Sequence, residues 1–493
     1  MKKNDWLIIA GTAVYTFLFY DQSPGLNFLL FNLALIALLL IRDAGFVFKP
    51  AWLAAGAGSL ISAFFVFKFG TTLTVMANLC SLFMLVGFSC DAESSLLIAV
   101  INAAFSTVAS LPMAIGKMFS ATTSEESSDG NILRKAPLLL IPVVVTTIFF
   151  FVYYAANPVF AKYVDEVNLD FISFEWLIFT LSGFFIMVGV FRHQIITWLL
   201  QVDKDSSDKL KVISADEHMA GVPAFSIQNE FLTGVILFCL LNLLLFSVNG
   251  LDVYYMWVAN KLPAGVKTAG YLHDGAYTLI FSICMAIAVL LFVFRGYLNF
   301  FERNRSLKLL AYAWIAQNAL LVITTAQRNW WTIMSSGITR KRIGVYVYLL
   351  LCLIGLTTTL IKVAQRNSNW FLFRKNAWAF YAVFIASCFV NWDDFIVRYN
   401  WHHYKTLKFE YIDRDYQADL SHTCLASLYS FYQMEKAEVV PNNKKMFTAE
   451  IVANMNSHYK QLKSEVDSAS WKSYCLSKSQ NVNAINEMMA KEK

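Results

Sequence analysis

The chain alternates long apolar runs with short polar connections along its first 390 residues. Twelve runs approach the roughly 17–25 apolar residues that an α-helix needs to cross a bilayer, and they cover residues 6–20, 26–41, 51–67, 73–88, 95–115, 137–154, 174–191, 231–248, 276–294, 307–326, 343–361 and 370–390. None alternates lipid-facing and lumen-facing residues as a barrel strand does. Helices are the other structure that satisfies every backbone polar group in lipid. The pattern therefore predicts an all-α, polytopic transmembrane bundle of eleven or twelve helices.

The pattern changes after residue 390. The segments DLSHTCLASLYSFYQ and AEIVANMNSHYKQLKSEV carry apolar residues at helical spacing, and the turn-forming VVPNNKK separates them. We therefore expect three parts: N-terminal membrane hairpins over residues 1–120, a core transmembrane bundle over 121–390, and a small, soluble, helical C-terminal domain over 391–493.

Composition agrees with a membrane protein. The 493 residues are 57% hydrophobic and 15% charged, and their mean hydropathy is +0.50. Soluble proteins carry about 25% charged and about 45–50% apolar residues. One soluble core of this size cannot bury so many apolar side chains. The lipid bilayer is therefore an expected partner of this chain, and no nucleic-acid partner is expected.

Lysine and arginine in the short loops indicate the orientation, because such loops favour the cytoplasm. Four basic loops fall on one side of the predicted bundle, at residues 117–135, 192–211, 295–308 and 362–375. That side is therefore expected to be cytoplasmic. The loop GITRKR (residues 337–342) is an exception, since its three cations then lie outside.

The N-terminal MKK and the basic loop at residues 42–49 satisfy the same rule only if one of the first five runs does not span. The run over residues 95–115 is rich in Ser, Ala and Asn, and we expect it to lie in the interface or re-enter. Eleven spans remain. They place the protein in the cytoplasmic (inner) membrane, with the N-terminus in the cytoplasm and the C-terminal domain exocytoplasmic.

The stretch YLHDGAY places His273, Asp274 and Tyr277 at the start of a predicted span. An Asp there favours the positive end of the helix dipole and can cap the helix. Catalysis would need a nucleophile or a metal partner, yet zinc-binding spacings, Walker A, G-x-S-x-G and G-x-G-x-x-G are absent from the sequence. We interpret the His–Asp pair first as a helix start and second as an extracellular polar site. No metal and no cofactor are expected.

Neutral amides lie deeper in the predicted spans, where ionisable residues would be costly. They are Asn78, Asn102, Asn242, Gln317 and Asn318, with Arg328 just beyond the end of one run. Such amides often hydrogen-bond one helix to another. We expect both Gln317 and Asn318 to face the protein interior and to link at least two other helices. A substrate-contacting role is the alternative.

Two further groups of residues lie in or near the C-terminal domain. The segment NWDDFIVRYN carries Asp393, Asp394 and Arg398, which we interpret as an acidic–basic pair on an interfacial helix. Cys424 and Cys475 are the two cysteines of this domain. A disulfide would suit an exocytoplasmic location, and two unrelated thiols are the alternative.

Several strings resemble a bacterial family of multi-pass membrane proteins catalogued only as a domain of unknown function. They are PGLNFLLF, AANPVF, NLLLFSVNGLD, YLHDGAYTLI, FVFRGYLNFF, LAYAWIAQNALLVI, GITRKRIGVY and VNWDDFIVRYN. The resemblance runs over most of residues 24–420, and residues 271–400 are its most specific part. It implies a location in the cytoplasmic membrane and a shared helical core, and it implies no reaction.

Three classes of function follow from these observations. The first is a scaffold, sensor or partner subunit of a membrane complex, whose C-terminal domain receives another membrane or envelope protein. The second is a transporter or channel for a neutral or lipid-like solute, although the mid-membrane acids of proton relays are missing and no inverted repeat is visible. The third is a lipid- or envelope-modifying enzyme. We favour the first.

Overall fold

The structure is a computed structural model that describes residues 3–122, 145–146, 149–150, 152–166, 173–210, 227–259, 268–294, 297–301, 304–407, 413–437 and 446–491. Within these ranges every extended regular element is a helix. Six described helices are long and apolar enough to cross a membrane, and the bent pair Asn369–Ser387 and Trp392–Tyr404 is a seventh candidate. The predicted all-α, multi-pass membrane fold is confirmed.

The first bundle surrounds one hydrophobic core near the N-terminus. Its helices are α1 (Lys3–Phe19), α2 (Leu26–Arg42), α3 (Pro50–Phe69), α4 (Thr72–Cys90), α5 (Leu96–Thr122) and, after the short α6 (Pro158–Glu166), α7 (Phe174–Phe191). Local sequence sets the ends of α3. Pro50 occupies its first position, where a missing N–H costs nothing, and Gly70 closes it in the left-handed conformation.

Helix α5 packs closely against two neighbouring helices. A Cβ on Gly87 of α4 would lie 2.1 Å from the carbonyl oxygen of Ala99, and a Cβ on Gly189 of α7 would lie 2.7 Å from the Cα of Thr107. The backbone of α5 therefore packs tightly between two helices. Residues 96–110 form an apolar helix shorter than the six candidate spans, and the expectation that the run over residues 95–115 lies in the interface or re-enters stays a prediction.

The second bundle has a separate hydrophobic core. After the short α8 (Thr197–Asp205) it contains α9 (Ile227–Val253), a π-helical turn (Tyr254–Val258), α10 (Thr268–Val293), α11 (Arg305–Ser336) and α12 (Arg340–Gln365). Helix α13 (Asn369–Ser387) packs against α12 and also against α3 and α5, so it joins the two bundles. Eleven of the twelve predicted runs coincide with these helices, and the run over residues 137–154 lies largely outside the described residues.

The C-terminal tail forms a third core. Its helices are α14 (Trp392–Leu407), α15 (Arg414–Ala418), α16 (Leu425–Ala437), α17 (Ala449–Ser468) and α18 (Leu476–Lys491). The two tail helices expected from the amphipathic pattern are confirmed as α16 and α17. Helix α7, which the sequence pattern placed in a middle domain, contributes to the first core instead.

The tail docks on the first bundle through residues 470–475, which we call the tail clamp. The side-chain oxygen of Gln22 accepts a hydrogen bond from the hydroxyl of Ser473 (2.8 Å). The backbone N–H of Leu26 donates to the carbonyl of Tyr474 (3.0 Å). These contacts hold the clamp against the turn between α1 and α2.

The two ends of α1 therefore face opposite ends of the first bundle. At its C-terminal end, the Lys472 ammonium of the tail clamp donates to the carbonyl of Phe17 (2.8 Å). At its N-terminal end, Asp5 pairs with Arg192 at the end of α7 (2.6 Å). The start of the chain and the tail domain thus lie at opposite ends of this bundle.

Candidate functional site

A crevice of about 700 Å³ lies where both bundles meet the tail, and we call it the tail crevice. Its walls are α12 of the second bundle and α13, the helix that joins the bundles. The turn between α3 and α4 and the joint between α13 and α14 close one end, together with His422 of the tail. No other cavity described below touches all three parts of the molecule.

Polar side chains form the tail end of this crevice. The Arg340 guanidinium, at the first position of α12, donates from Nε to Asp393 Oδ1 (2.6 Å) and from Nη2 to Asp393 Oδ2. The backbone N–H of Ser421 donates to the same carboxylate (3.2 Å). One ion pair thus ties the second bundle to α14 and to the tail core. Asp393 is 7% exposed, so this contact is largely shielded from solvent.

A second contact fixes the turn between α11 and α12. The Asn400 amide of α14 accepts from the backbone N–H of Ile338 (2.7 Å) and donates to its carbonyl (2.9 Å). Gly337 has φ +78°, and a Cβ there would lie 2.7 Å from the Asn400 side-chain oxygen. The glycine in GITRKR is therefore needed for both conformation and space.

His422 borders the polar end and is held by the first bundle. It hydrogen-bonds the backbone of Phe69, while its Nε2 is buried with no partner among the described residues. The bond to Phe69 is therefore made by Nδ1. Burial and the nearby Lys478 charge lower the pKa of His422 to about 4. The ring is therefore neutral near pH 7, and its Nε2 is enclosed by protein.

The remainder of the tail crevice is apolar. Ile343, Val347 and Leu351 of α12 face Phe380 and other apolar residues of α13. Gly344 also lines this wall, and a Cβ there would meet no atom within 4 Å. The crevice therefore has a polar end at the tail and an apolar body between two membrane helices.

The predicted acidic–basic pair lies beside this site. Asp394 accepts a hydrogen bond from Arg398 one turn later (2.7 Å), which confirms the expected pair on α14. The other Asp394 oxygen accepts from the hydroxyl of Ser427 (2.5 Å), so the pair also fixes α16. Asp393 has a separate partner, Arg340, and no pattern in the sequence identifies this pairing.

The deep amides form a ladder between α9 and α11. Asn242 donates to the carbonyl of Leu310 (3.1 Å) and accepts from the side-chain nitrogen of Gln317 (2.7 Å). Asn249 donates to the backbone carbonyl of Gln317 (3.0 Å). The expected linking role of Asn242 is confirmed, and that of Asn78 is confirmed in the first bundle, where it bonds Asn32 of α2.

Gln317 and Asn318 were expected to face the interior and to link at least two other helices, and the structure confirms only part of this. Asn318 is 2% exposed and donates to the carbonyl of Trp314 in its own helix (2.8 Å). Gln317 is half-buried and reaches α9. In the described contacts the pair therefore links one other helix and not the two expected. The side-chain oxygens of Gln317 and Asn249 are buried without a hydrogen-bond partner there, and both residues border a cavity of about 420 Å³.

Arg328 lies inside α11 and not just beyond its end. Its guanidinium pairs with Asp252 of α9, and both side chains are more than 90% buried. Thr324 donates to the second oxygen of that carboxylate (3.3 Å). The apolar run ends near residue 326, but the helix continues to Ser336. A partner on another helix lets the arginine stay buried.

Lys362 was assigned to a cytoplasmic loop, yet it is 1% exposed in the last turn of α12. Its ammonium donates to the carbonyl of Phe294 at the end of α10 (2.8 Å), and Asn299 donates to the same oxygen (2.9 Å). A cation at a helix C-terminus is favoured by the helix dipole. The sequence shows a lysine next to an apolar run, but the hydrophobic pattern did not predict that its side chain would be buried.

The YLHDGAY stretch is helical, but α10 begins at Thr268. Asp274 is therefore beyond the first turn, and the expectation that it starts or caps the helix is wrong. The side chains of His273, Asp274 and Tyr277 lie outside the described residues.

Cys424 and Cys475 are separate thiols in the structure, so the disulfide alternative is not formed. The Cys424 thiol donates to the carbonyl of Ser421 (3.1 Å), and the Cys475 sulfur packs near Gly70 of the first bundle. In the part of the chain that the structure describes, no three His, Cys, Asp or Glu side chains form a group that could hold a metal ion.

Comparison with known proteins shows which family the chain belongs to. Searches of curated proteins and of solved structures give no match. The family model described as "Domain of unknown function (DUF4153)" matches residues 7–431, which include nearly all of both bundles, the tail crevice, α14, α15 and the first part of α16. The chain belongs to this family of proteins with a domain of unknown function, DUF4153.

Proposed function

We propose that the protein is a scaffold or partner subunit of a membrane complex. The observation that supports this role is the double docking of the tail, which contacts the second bundle through Asp393 and Arg340 and the first bundle through the tail clamp. A domain held at two places is a preorganised platform, because little further ordering is needed when a partner binds. The proposed partner is another membrane or envelope protein.

We also propose an orientation. The tail lies at one end of the first bundle, and the N-terminus of α1 lies at the other. The basic loop around Lys204 and Arg374 lies at the same end as the N-terminus of α1. By the charge rule this basic end is cytoplasmic, and the tail is exocytoplasmic in the inner membrane. A reporter that is active only in the cytoplasm, fused after Lys493, should stay inactive. Strong activity would reverse the orientation.

The partner role predicts where contacts with other proteins occur. A photo-crosslinking residue placed at Lys463, on the exposed face of α17, should give a discrete heteromeric product in native membranes. The matched control is a crosslinker at Lys204, which is half-exposed at the opposite end of the molecule. The same pattern of products from both positions, or no product from the tail, would contradict the proposal.

The second candidate is a transporter or channel for a neutral solute. It is favoured by a cavity that Gln317 and Asn249 border, since the side-chain oxygens of both residues are buried without a hydrogen-bond partner among the described residues. A solute with hydroxyl donors fits such acceptors. Uptake of a small polyol into liposomes that contain the protein would support transport if Gly250→Leu, which fills this cavity, abolishes it. Uptake equal to that of empty liposomes would exclude this candidate for polyols.

A further inference from the structure

Helices α10 and α12 run parallel and face each other along one seam of the second bundle. The Lys362 ammonium donates to the carbonyl of Phe294 (2.8 Å) at one end of this seam. Nearer the middle, a Cβ on Gly355 would lie 3.3 Å from Cδ1 of Ile287. In both pairs the residue of α12 comes 68 positions after its neighbour in α10. The constant offset means that the two helices are in register, with no slide between them.

The same register brings two cysteines together. Cys284 of α10 and Cys352 of α12 are also 68 positions apart, and each lies three residues before a member of the Ile287 and Gly355 pair. Steps of three and seven residues stay on one face of an α-helix. The Cys352 thiol is in hydrogen-bonding contact with the Cys284 thiol, and both are reduced in the structure. The seam and the direct contact thus place the two thiols side by side.

The pair lies deep in the membrane, and one of its thiols faces lipid. Cys352 is 7% exposed and lies at the middle of α12, which has 26 residues. Cys284 is exposed, as is Phe281 one turn earlier on α10. Charged, water-soluble oxidants do not enter the hydrocarbon core, because a charge there is costly. An oxidant of this pair must therefore be soluble in lipid.

We propose that Cys284 and Cys352 are a redox-sensitive pair, which forms a disulfide between α10 and α12 when a lipid-soluble quinone oxidises it. The two S–H bonds break and one S–S bond forms, while the quinone takes up both electrons and both protons and becomes a quinol. Thiols ionise poorly in apolar surroundings, so an isolated cysteine at this depth reacts slowly. A second thiol held in place favours the reaction, because no encounter between the two is required.

The disulfide restrains a helix that also holds the tail. Helix α12 begins at Arg340, which pairs with Asp393, and its last turn carries Lys362. A bond at the middle of α12 fixes it on α10 at a level between these two contacts. This goes beyond the proposed scaffold role, since the bond can form whether or not a partner is bound.

The test is oxidation of the full-length, initially reduced protein in liposomes. The probe is a fully substituted benzoquinone with an alkyl tail, which has no free ring position to which a thiol can add. The control oxidant is oxidised glutathione, a charged peptide that does not enter the hydrocarbon core. After alkylation of the remaining thiols, mass spectrometry of the non-reduced digest identifies linked peptides. We expect the quinone to remove two alkylatable thiols and to link Cys284 to Cys352, and oxidised glutathione to do neither.

Matched serine variants separate proximity from exposure. Cys352→Ser removes one member of the pair, whereas Cys239→Ser removes an exposed cysteine of α9. The quinone should leave every thiol of the first variant free and should still oxidise two thiols of the second. If Cys352→Ser lowers the folded yield, Cys284→Ser gives the same test at an exposed position.

Two results would contradict the proposal. If the quinone links no peptides, or links Cys284 to another cysteine as readily as to Cys352, the pair is overturned. If oxidised glutathione forms the same bond equally well, the assignment to a lipid-soluble oxidant is overturned.

Discussion

The two membrane bundles are held together by different kinds of contact. Neutral amides bond between helices in both bundles, but in the first bundle glycines also let helices touch backbone to backbone, as Gly87 does on Ala99. In the second bundle, charged groups are buried: Arg328 with Asp252, and Lys362 on the end of α10.

Two glycine positions differ in the same sense. Gly250 and Gly344 of the second bundle face open space, in contrast to the close glycine contacts of the first. A tightly packed bundle resists change of shape, whereas buried charges and open cavities are features that functional membrane sites share. The first bundle is the closely packed part of the molecule, and it holds the tail clamp.

The largest effect should come from the buried charges. Asp252→Asn leaves the Arg328 charge without its carboxylate, and breaking a buried pair in this way costs about 3–5 kcal/mol. The control is Asp394→Asn, because the Asp394–Arg398 pair is more exposed and such pairs contribute about 0.3–0.5 kcal/mol. Thermal unfolding in detergent measures both. Equal losses of stability in the two variants would show that the second bundle does not depend on its charges.

Close packing in the first bundle predicts the second-largest effect on stability. Gly87→Ala places a methyl group 2.1 Å from the Ala99 carbonyl oxygen, whereas Gly56→Ala places one at an ordinary 3.8 Å from Leu85. Overpacking costs about 1–3 kcal/mol, so Gly87→Ala should lower the melting temperature and Gly56→Ala should not. Similar melting temperatures would mean that α4 and α5 do not touch as described.

The helices could be predicted from the sequence, whereas the contacts between them could not. Apolar run length predicted the helices, and helical spacing predicted the tail, because both are local properties. The pairing of Arg328 with Asp252 joins residues 76 positions apart, and no local pattern encodes it. The close packing of the run over residues 95–115 could not be predicted from its own Ser, Ala and Asn residues, because it depends on Gly87 and Gly189 of neighbouring helices.

A smaller effect should appear when the pH falls. His422 has a pKa of about 4 in the folded protein, and about 6.5 in an unfolded chain. The unfolded chain therefore binds more protons between these values, and stability is complete above pH 6.5 and decreases toward pH 4. Asp393 and Glu465 favour the charged ring, and Lys478 opposes it. We expect a loss on the order of 1–2 kcal/mol at pH 5.

His422→Gln is the control for this pH effect, because glutamine can still donate to the Phe69 carbonyl and does not titrate. The loss of stability between pH 6.5 and 5 should become shallower in this variant. Hydrogen exchange of the tail amides at each pH measures the change. A pH profile identical to that of the wild type would assign the effect to another group.

The smallest effect concerns the two tail cysteines. Because Cys424 and Cys475 are separate thiols, a reducing agent should leave the melting temperature of the protein unchanged. Alkylation of the denatured protein before and after reduction should label the same number of cysteines. Two additional labels after reduction would show that a disulfide forms in the membrane.

The double docking of the tail can be tested by cutting the chain. A protease site placed between Leu407 and Asp413 separates the tail after α14 from the rest of the chain. If the tail clamp and the contact of Ser421 with Asp393 hold it, the cleaved fragment should stay bound on a native gel and leave only in denaturant. Combining the cut with Asp393→Ala and Gln22→Ala should lower the denaturant concentration at which the fragment leaves, while the shared hydrophobic core still holds it in buffer. A fragment that leaves the otherwise unchanged protein at once upon cleavage would contradict the account.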